Sequence, residues 1–258
     1  MPSNAGPALF LLAGVGKDEP RIVRFCAACA PALRVSLVDY GDWPDWIGPG
    51  FALDAIVRRI IAAIESEAPE GPIFLGGYSL GAEIAYAVAL ALSTGGRSVA
   101  FLAILDADIS RGPPPAQPGA LQRLLTAIGR GEAAERIASY ASKPLASPSR
   151  SRLAARICRM RLPGNFAFHL HRHIRRHVLT RLVEAWWARQ PAPLPQLAIS
   201  AAVFRSTEHR ADIPEDLGWR PICPRVRAVA VDGGHNTMLD PPNLEPLCAR
   251  FTAAVLAA

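Results

Sequence analysis

No uncharged apolar stretch in this 258-residue chain reaches the length of a membrane span, although half of its residues are hydrophobic. That apolar share reads instead as the core of one enzyme-sized domain. The opening Met1-Pro2-Ser3-Asn4 carries no basic side chain ahead of the apolar segment Ala8 to Ala13. This argues against a signal peptide and for a first buried strand. Cysteine is sparse and odd in number, with five residues at 26, 29, 158, 223 and 248. Cys26-x-x-Cys29 lacks a partner pair at zinc spacing and sits in a helix-like stretch. Two buried thiols describe it better than a redox or metal pair, and the reducing cytoplasm is the expected compartment. No internal repeat is visible. Acidic residues are nearly missing from one region: between Arg150 and Arg189 there is one, Glu184, against ten arginines. The net charge of +6 is therefore local. No nucleic-acid motif accompanies the run, and aromatics are not interleaved with it, so nucleic acid is not the expected partner. An acidic protein, a phosphate-bearing substrate or a merely solvated helix face each account for it.

What is present is alternation. Strands are predicted at Ala8–Leu12, Val35–Asp39, Ile73–Gly76, Val99–Leu105, Ile199–Phe204 and Val226–Val231. Most are continuous apolar runs, as for strands covered on both faces. Helical patterns fall at Pro20–Ala32, Phe51–Ser66, Leu80–Ser93 and Asn243–Leu256. The expected class is α/β, a mostly parallel sheet flanked by helices. The alternation breaks between Ile109 and Ala198. Pro113-Pro114-Pro115 opens this insert and Pro191-Ala192-Pro193-Leu194-Pro195 closes it. Helical patterns inside lie near Leu121–Ile128, Glu132–Ser139, Ser151–Arg161 and Phe166–Arg189. The expected division is a core of residues 1–110 and 196–258 with a helical lid insert at 111–195.

The densest signal is Leu75-Gly76-Gly77-Tyr78-Ser79-Leu80-Gly81-Ala82. An apolar strand enters Gly-x-Ser-x-Gly and a helical pattern leaves it, the context of a nucleophile elbow. Gly77 and Gly81 remove side chains that would collide in so tight a turn, and Ser79 is left exposed at a strained point. A serine nucleophile needs a base and an orienting acid. Of six histidines, four (169, 171, 173 and 177) lie in the basic insert helix. His173 and His177 have a spacing that can bind metal, but no acidic third ligand lies near them. His209 follows Glu208 in a polar loop and reads as solvated. His235 follows a strand and the turn Asp232-Gly233-Gly234, where a base can reach the elbow. Asp106 ends the buried strand Val99–Leu105 and is favoured as the acid over Asp108, two residues on. Leu80 and either Ala13 or Gly14 are the candidate backbone donors to an oxyanion.

Phe74 to Gly81, then Ile104-Leu105-Asp106, then Gly233-Gly234-His235-Asn236-Thr237-Met238-Leu239 resemble the thioesterase domains of polyketide synthases and nonribosomal peptide synthetases. So does Leu217-Gly218-Trp219. The likeness covers almost the whole chain apart from the insert; Ala82 stands where a second glycine is common. It implies an α/β-hydrolase fold, a Ser79–His235–Asp106 triad, a helical lid, and an acyl, polyketide or peptide substrate delivered on the phosphopantetheine arm of an acyl or peptidyl carrier protein. No cofactor or metal is implied, and a cytoplasmic monomer is expected. Phe166, Phe168, Trp186 and Trp187 are candidates to line the acyl channel. Arg172, Arg175 and Arg176 share a helix face that can dock an acidic carrier. A carboxylesterase or lipase, a stand-alone editing (type II) thioesterase, and a hydrolase-fold binding protein stay open as alternatives. So do hydrolysis and ring closure as the outcome.

Overall fold

Short apolar runs alternate with helical spacings along this chain, and they fold into alternating strands and helices. The computed structural model describes residues 7–14, 19–30, 32–48, 50–110, 133–160 and 165–258. In chain order the elements are β1 (Ala8–Ala13), α1 (Pro20–Cys29), β2 (Arg34–Leu37), α2 (Trp43–Trp46), α3 (Leu53–Glu67), β3 (Ile73–Tyr78), α4 (Leu80–Thr94), β4 (Val99–Leu105), α5 (Ala133–Leu145), α6 (Ser151–Cys158), α7 (Phe166–Trp187), β5 (Ser200–Ser206), β6 (Val226–Val231) and α8 (Leu244–Leu256). Each predicted strand is found within a residue or two of its expected bounds. The insert patterns at Glu132–Ser139, Ser151–Arg161 and Phe166–Arg189 become α5, α6 and α7. The pattern at Leu121–Ile128 and the triple proline lie outside the described residues.

The chain divides into two compact units. One is Met1–Tyr40, Asp54–Ser110 and Arg189–Ala258; the other is Gly41–Leu53 with Arg111–Ala188. The expected insert thus gains a segment from early in the chain and gives 189–195 to the core.

In the first unit six strands pair in parallel, in the order β2-β1-β3-β4-β5-β6. The chain runs outward from β1 to β2 and returns to β1's other side as β3. The crevice at the carboxyl ends of the strands beside such a reversal is where open parallel sheets take ligands. On one sheet face Leu9, Leu11, Phe101 and Phe204 are buried with Ile22 and Phe25 of α1 and Leu247 and Phe251 of α8. The Phe251 ring meets Phe25 edge-on at 5.0 Å and Phe204 at 5.2 Å. Truncating such a ring to alanine costs about 3–5 kcal/mol. Against β1, β3 and β4 packs α4. Its buried Ile84, Tyr86, Val88 and Leu92 spread round the helix, as in a helix enclosed by its fold. Burial pushes the Cys26 and Cys223 thiols up to about 12, so both are inert at neutral pH.

In the second unit α7 packs against α5, α6 and α2. Its buried stripe is Leu170, Ile174, Val178, Leu179 and Val183. The short α2 begins at Asp42, whose side chain accepts the Trp43 N–H at 2.8 Å, and carries a proline in its first turn. Among the described residues no helix is long and apolar enough to cross a membrane.

Candidate active site

The elbow is shaped by two glycines. A Cβ on Gly77 would lie 2.3 Å from the Ala82 Cα, and one on Gly81 would lie 2.1 Å from the Leu12 carbonyl oxygen. Neither space admits a side chain, so β3 can turn at once into α4. Ser79, between them, is held at φ 55° and ψ −131°, a costly conformation outside glycine. Its N–H donates to Leu105 O and its carbonyl accepts from Ala82 N–H, both at 2.9 Å.

Asp106 ends β4 at φ 51° with its side chain fully buried. One carboxylate oxygen, Oδ2, meets His235 Nδ1 at 2.8 Å. The other, Oδ1, accepts the Ser206 N–H at 2.7 Å and meets His209 Nε2 at 2.9 Å. Burial by itself raises the carboxyl pKa. The His235 hydrogen bond, the Ser206 N–H and the charges of His209 and His235 outweigh it and hold it below the ordinary 3.8. An ionised carboxylate only accepts, so His235 carries its proton on Nδ1. The lone pair on Nε2 then faces Ser79 Oγ, 3.1 Å away. Asp108 is turned to its own loop, accepting from the Ser110 N–H at 2.8 Å and the Ser110 hydroxyl at 2.6 Å.

His235 is fastened from two sides. The Tyr78 ring stacks on it at 5.0 Å and 16°, and the Tyr78 hydroxyl donates to the His235 carbonyl at 2.6 Å. Below it, the Gly234 N–H donates to Thr237 Oγ1 at 2.8 Å. Gly233, at φ 87°, leaves room for Asn243 Nδ2, which a Cβ would approach to 2.6 Å.

Leu80 is the first residue of α4, so its N–H has no acceptor within the helix. Gly14 lies against it: a Cβ there would sit 3.2 Å from Leu80 N and 3.0 Å from Gly81 N. Ala13 is paired with Tyr78 across β1 and β3, and its carbonyl accepts from the Tyr40 hydroxyl. Val15 and Gly16, the rest of that loop, lie outside the described residues.

Other candidate residues fall on α7. Trp186 and Trp187 are buried, their rings edge-on at 5.0 Å, while Phe166 is half-buried and Phe168 is 60% exposed. Arg175 is a correction to the docking face. It is buried, donates to Gly41 O at 2.6 Å and Asp42 Oδ1 at 2.8 Å, and lies 4.6 Å from the Trp46 ring centre. It is committed within the second unit; Arg172 is half-buried and Arg176 exposed. His171 meets Asp42 Oδ2 at 2.6 Å. Among the described residues no three His, Cys, Asp or Glu side chains gather as a metal site. His209 is a second correction, since it sits on the buried carboxylate and not in solvent. Its signal was available: it lies just past the end of β5, much as His235 lies just past β6.

The sequence model of the Thioesterase domain family matches residues 49–128, a window holding Ser79 and Asp106. A chondramide synthase of Chondromyces crocatus is 35% identical over 92 residues, 36% of this chain and 2% of that one. A non-reducing polyketide synthase of Cladosporium cladosporioides is 31% identical over 160 residues, 60% of this chain and 7% of that one. This chain therefore spans a small fraction of these relatives' length. Among solved structures, the NocB thioesterase domain in covalent complex with a fluorophosphonate nocardicin G analog superposes at TM-score 0.64 and 17% identity, covering 97% of this chain and 95% of that one. Its likeness shows the fold. The family model and the shared fold together make the chain similar to thioesterase domains, with a mostly parallel sheet flanked by helices as in those structures. More particularly, the chain resembles the thioesterase domains of polyketide synthases and nonribosomal peptide synthetases.

Proposed function

We propose that this domain releases an acyl, polyketide or peptide chain from the phosphopantetheine thioester of a carrier protein through an acyl-enzyme on Ser79. The observation that carries this reading is the unbroken line from Ser79 Oγ through His235 to the buried Asp106, 3.1 and 2.8 Å per step. His235 Nε2 takes the serine proton as Oγ attacks the thioester carbonyl. Asp106 stabilises the imidazolium, and the N–H groups of Leu80 and Gly14 hold the oxyanion. The thiolate leaves with the proton from His235. Water, or a hydroxyl or amine of the chain itself, then attacks the acyl-serine with His235 again as base, giving an acid or a ring. Each proton and charge is handled by these residues, so the sequence of steps calls for no cofactor.

The insert is read as a lid, with Phe166 and Phe168 as candidate residues of the acyl channel. Its place in the chain, directly after the strand that ends in Asp106, supports this. Arg172 and Arg176 offer charge to an acidic carrier, and the domain works in the cytoplasm beside it.

Intact mass after incubation with an acyl-pantetheine thioester tests the chemistry. Ser79→Ala should abolish the adduct, and His235→Ala should lower turnover by roughly 10³ or more. Turnover by Ser79→Ala within a few-fold of the parent protein overturns the reading. Changing Arg172 and Arg176 together to alanine should slow release from the carrier while sparing small soluble thioesters, and added salt should act likewise. Equal losses on both substrates would reduce the arginines to a solvated face.

A further inference from the structure

The buried carboxylate has one partner more than a serine–histidine–aspartate relay requires. The geometry points to His209 as a positioning residue that fixes the plane of the Asp106 carboxylate so that Oδ2 stays on His235; the inference rests on the proposed role of Ser79, Asp106 and His235. Asp106 Oδ1 lies 2.9 Å from His209 Nε2 and accepts the Ser206 N–H at 2.7 Å, leaving Oδ2 to His235 at 2.8 Å. The terminal torsion of an aspartate is broad, with two equivalent settings. One donor on Oδ1 would let the carboxylate rock about that contact. Two donors from different directions fix it, and both are strengthened by the charge they meet. As the carboxylate only accepts, His209 carries a proton on Nε2.

The loop bearing His209 is tied to the base as well as to the acid. The Thr207 N–H donates to Val231 O, the last residue of β6, at 3.0 Å. The Glu208 carboxylate lies against Gly234, where a Cβ would come within 2.1 Å of Oε2. Three successive residues thus touch the end of β6, the glycine before His235, and Asp106. The loop after β5 sets the distance between acid and base, and His209 is the part of it that reaches the acid's side chain.

Steady-state kinetics on a small acyl thioester, with His209→Ala and His209→Gln beside the parent protein, test this. The glutamine amide places an N–H where Nε2 stood. The alanine variant should lose about tenfold in kcat, as for one charge-assisted hydrogen bond, with KM within twofold. The glutamine variant should recover to within threefold of the parent. The proton NMR signal of His235 Nδ1–H, shifted far downfield by Asp106, should move or broaden with alanine and return with glutamine. A kcat within twofold of the parent in His209→Ala overturns the inference, even if the melting temperature falls. So does a loss that glutamine does not restore, or a loss confined to KM. Should the alanine variant fail to fold, His209→Leu against His209→Gln makes the same comparison. Failure of the parent reading looks different: Ser79→Ala would then turn over like the unchanged protein.

Discussion

Gly14→Ala adds one methyl group where the oxyanion is proposed to sit. The backbone at Gly14 is not in the left-handed region, so alanine brings no conformational strain of its own. The new Cβ would lie 3.0 Å from Gly81 N, 3.1 Å from Leu80 Cβ and 3.2 Å from Leu80 N. Each contact is shorter than ordinary carbon packing, so Gly14 or the start of α4 must retreat by a few tenths of an ångström. That start cannot move freely, because Ala82 N–H is bonded to Ser79 O and Gly81 abuts Leu12 O. Donors to an oxyanion act over a narrow range, about 2.7–3.1 Å, and removing one outright costs roughly 10²–10³ in kcat. A displacement weakens a donor without removing it, so kcat should fall roughly tenfold, about 1.4 kcal/mol of transition-state stabilisation. KM should hold, since the ground-state carbonyl makes little use of these N–H groups. Steady-state kinetics and the rate of single-turnover acylation of Ser79, read by intact mass, measure both. Melting temperature on the same samples separates crowding of the fold from loss of catalysis. A kcat within twofold of the parent, or a change in KM alone, would refute the placement of the oxyanion between Gly14 and Leu80.

Tyr78→Phe keeps the ring on His235 and removes the 2.6 Å hydrogen bond to its carbonyl. It should lower kcat several-fold, in line with about 1 kcal/mol for one neutral hydrogen bond. Tyr78→Leu, which loses the stack too, should do worse; parent-like kinetics in both variants would show that the tyrosine does not hold the base. His177 in α7 is held below its ordinary 6.5, first by burial and then by the charges of Lys143, His173, Arg176 and Arg181. The unfolded chain therefore takes this proton more readily than the folded one. The stability that neutral His177 contributes is present above 6.5 and lost as pH falls from there through its lower folded value. His177→Gln should flatten the decline in melting temperature between about pH 7.5 and about pH 5.5, and an unchanged decline would refute that role.

The parts of this fold that were legible in sequence are those whose causes are local or strongly patterned. Central strands such as Val99–Leu105 are buried on both faces, so they read as unbroken apolar runs. The elbow is a steric statement about neighbours in sequence, and Gly77 and Gly81 are needed for contacts made within a few residues. The edge strand β6 departs from the pattern, with exposed positions in its middle. What escaped depended on contacts remote in sequence. The four residues of α2 are too few for any periodicity, and Asp42 finds Arg175 and His171 well over a hundred residues away. Helical spacing placed Arg175 on the same face as Arg172 and Arg176 but could not say what that face would meet. His209, flanked by Glu208 and Arg210, reads as polar loop until folding brings it to a carboxylate 103 residues away.

Strain gives the Leu217-Gly218-Trp219 block a physical role. Among the described residues other than glycine, positive φ occurs at Ser79, Asp106, Asn165 and Leu217. Two of these, Ser79 and Asp106, are the proposed nucleophile and acid, at the ends of the neighbouring strands β3 and β4. Each strained residue costs on the order of 1–3 kcal/mol, a large share of a domain's net stability of about 5–15 kcal/mol. Such conformations persist only where the surroundings over-determine them. At Ser79 the constraint is the glycine-shaped passage between Leu12 and Ala82. At Asp106 it is the block. The Trp219 indole N–H donates to Ala107 O at 2.7 Å, and the Ile109 N–H donates to Leu217 O at 3.0 Å. Gly218, at φ 83°, lets this segment come so near that a Cβ would sit 2.8 Å from Ser110 N. The chain leaving β4 is thereby pulled off the strand path at the residue that must turn its carboxylate toward His235. Buried Trp219 and Leu217 thus hold the backbone of residues 107–109, the segment that leads away from the proposed acid Asp106.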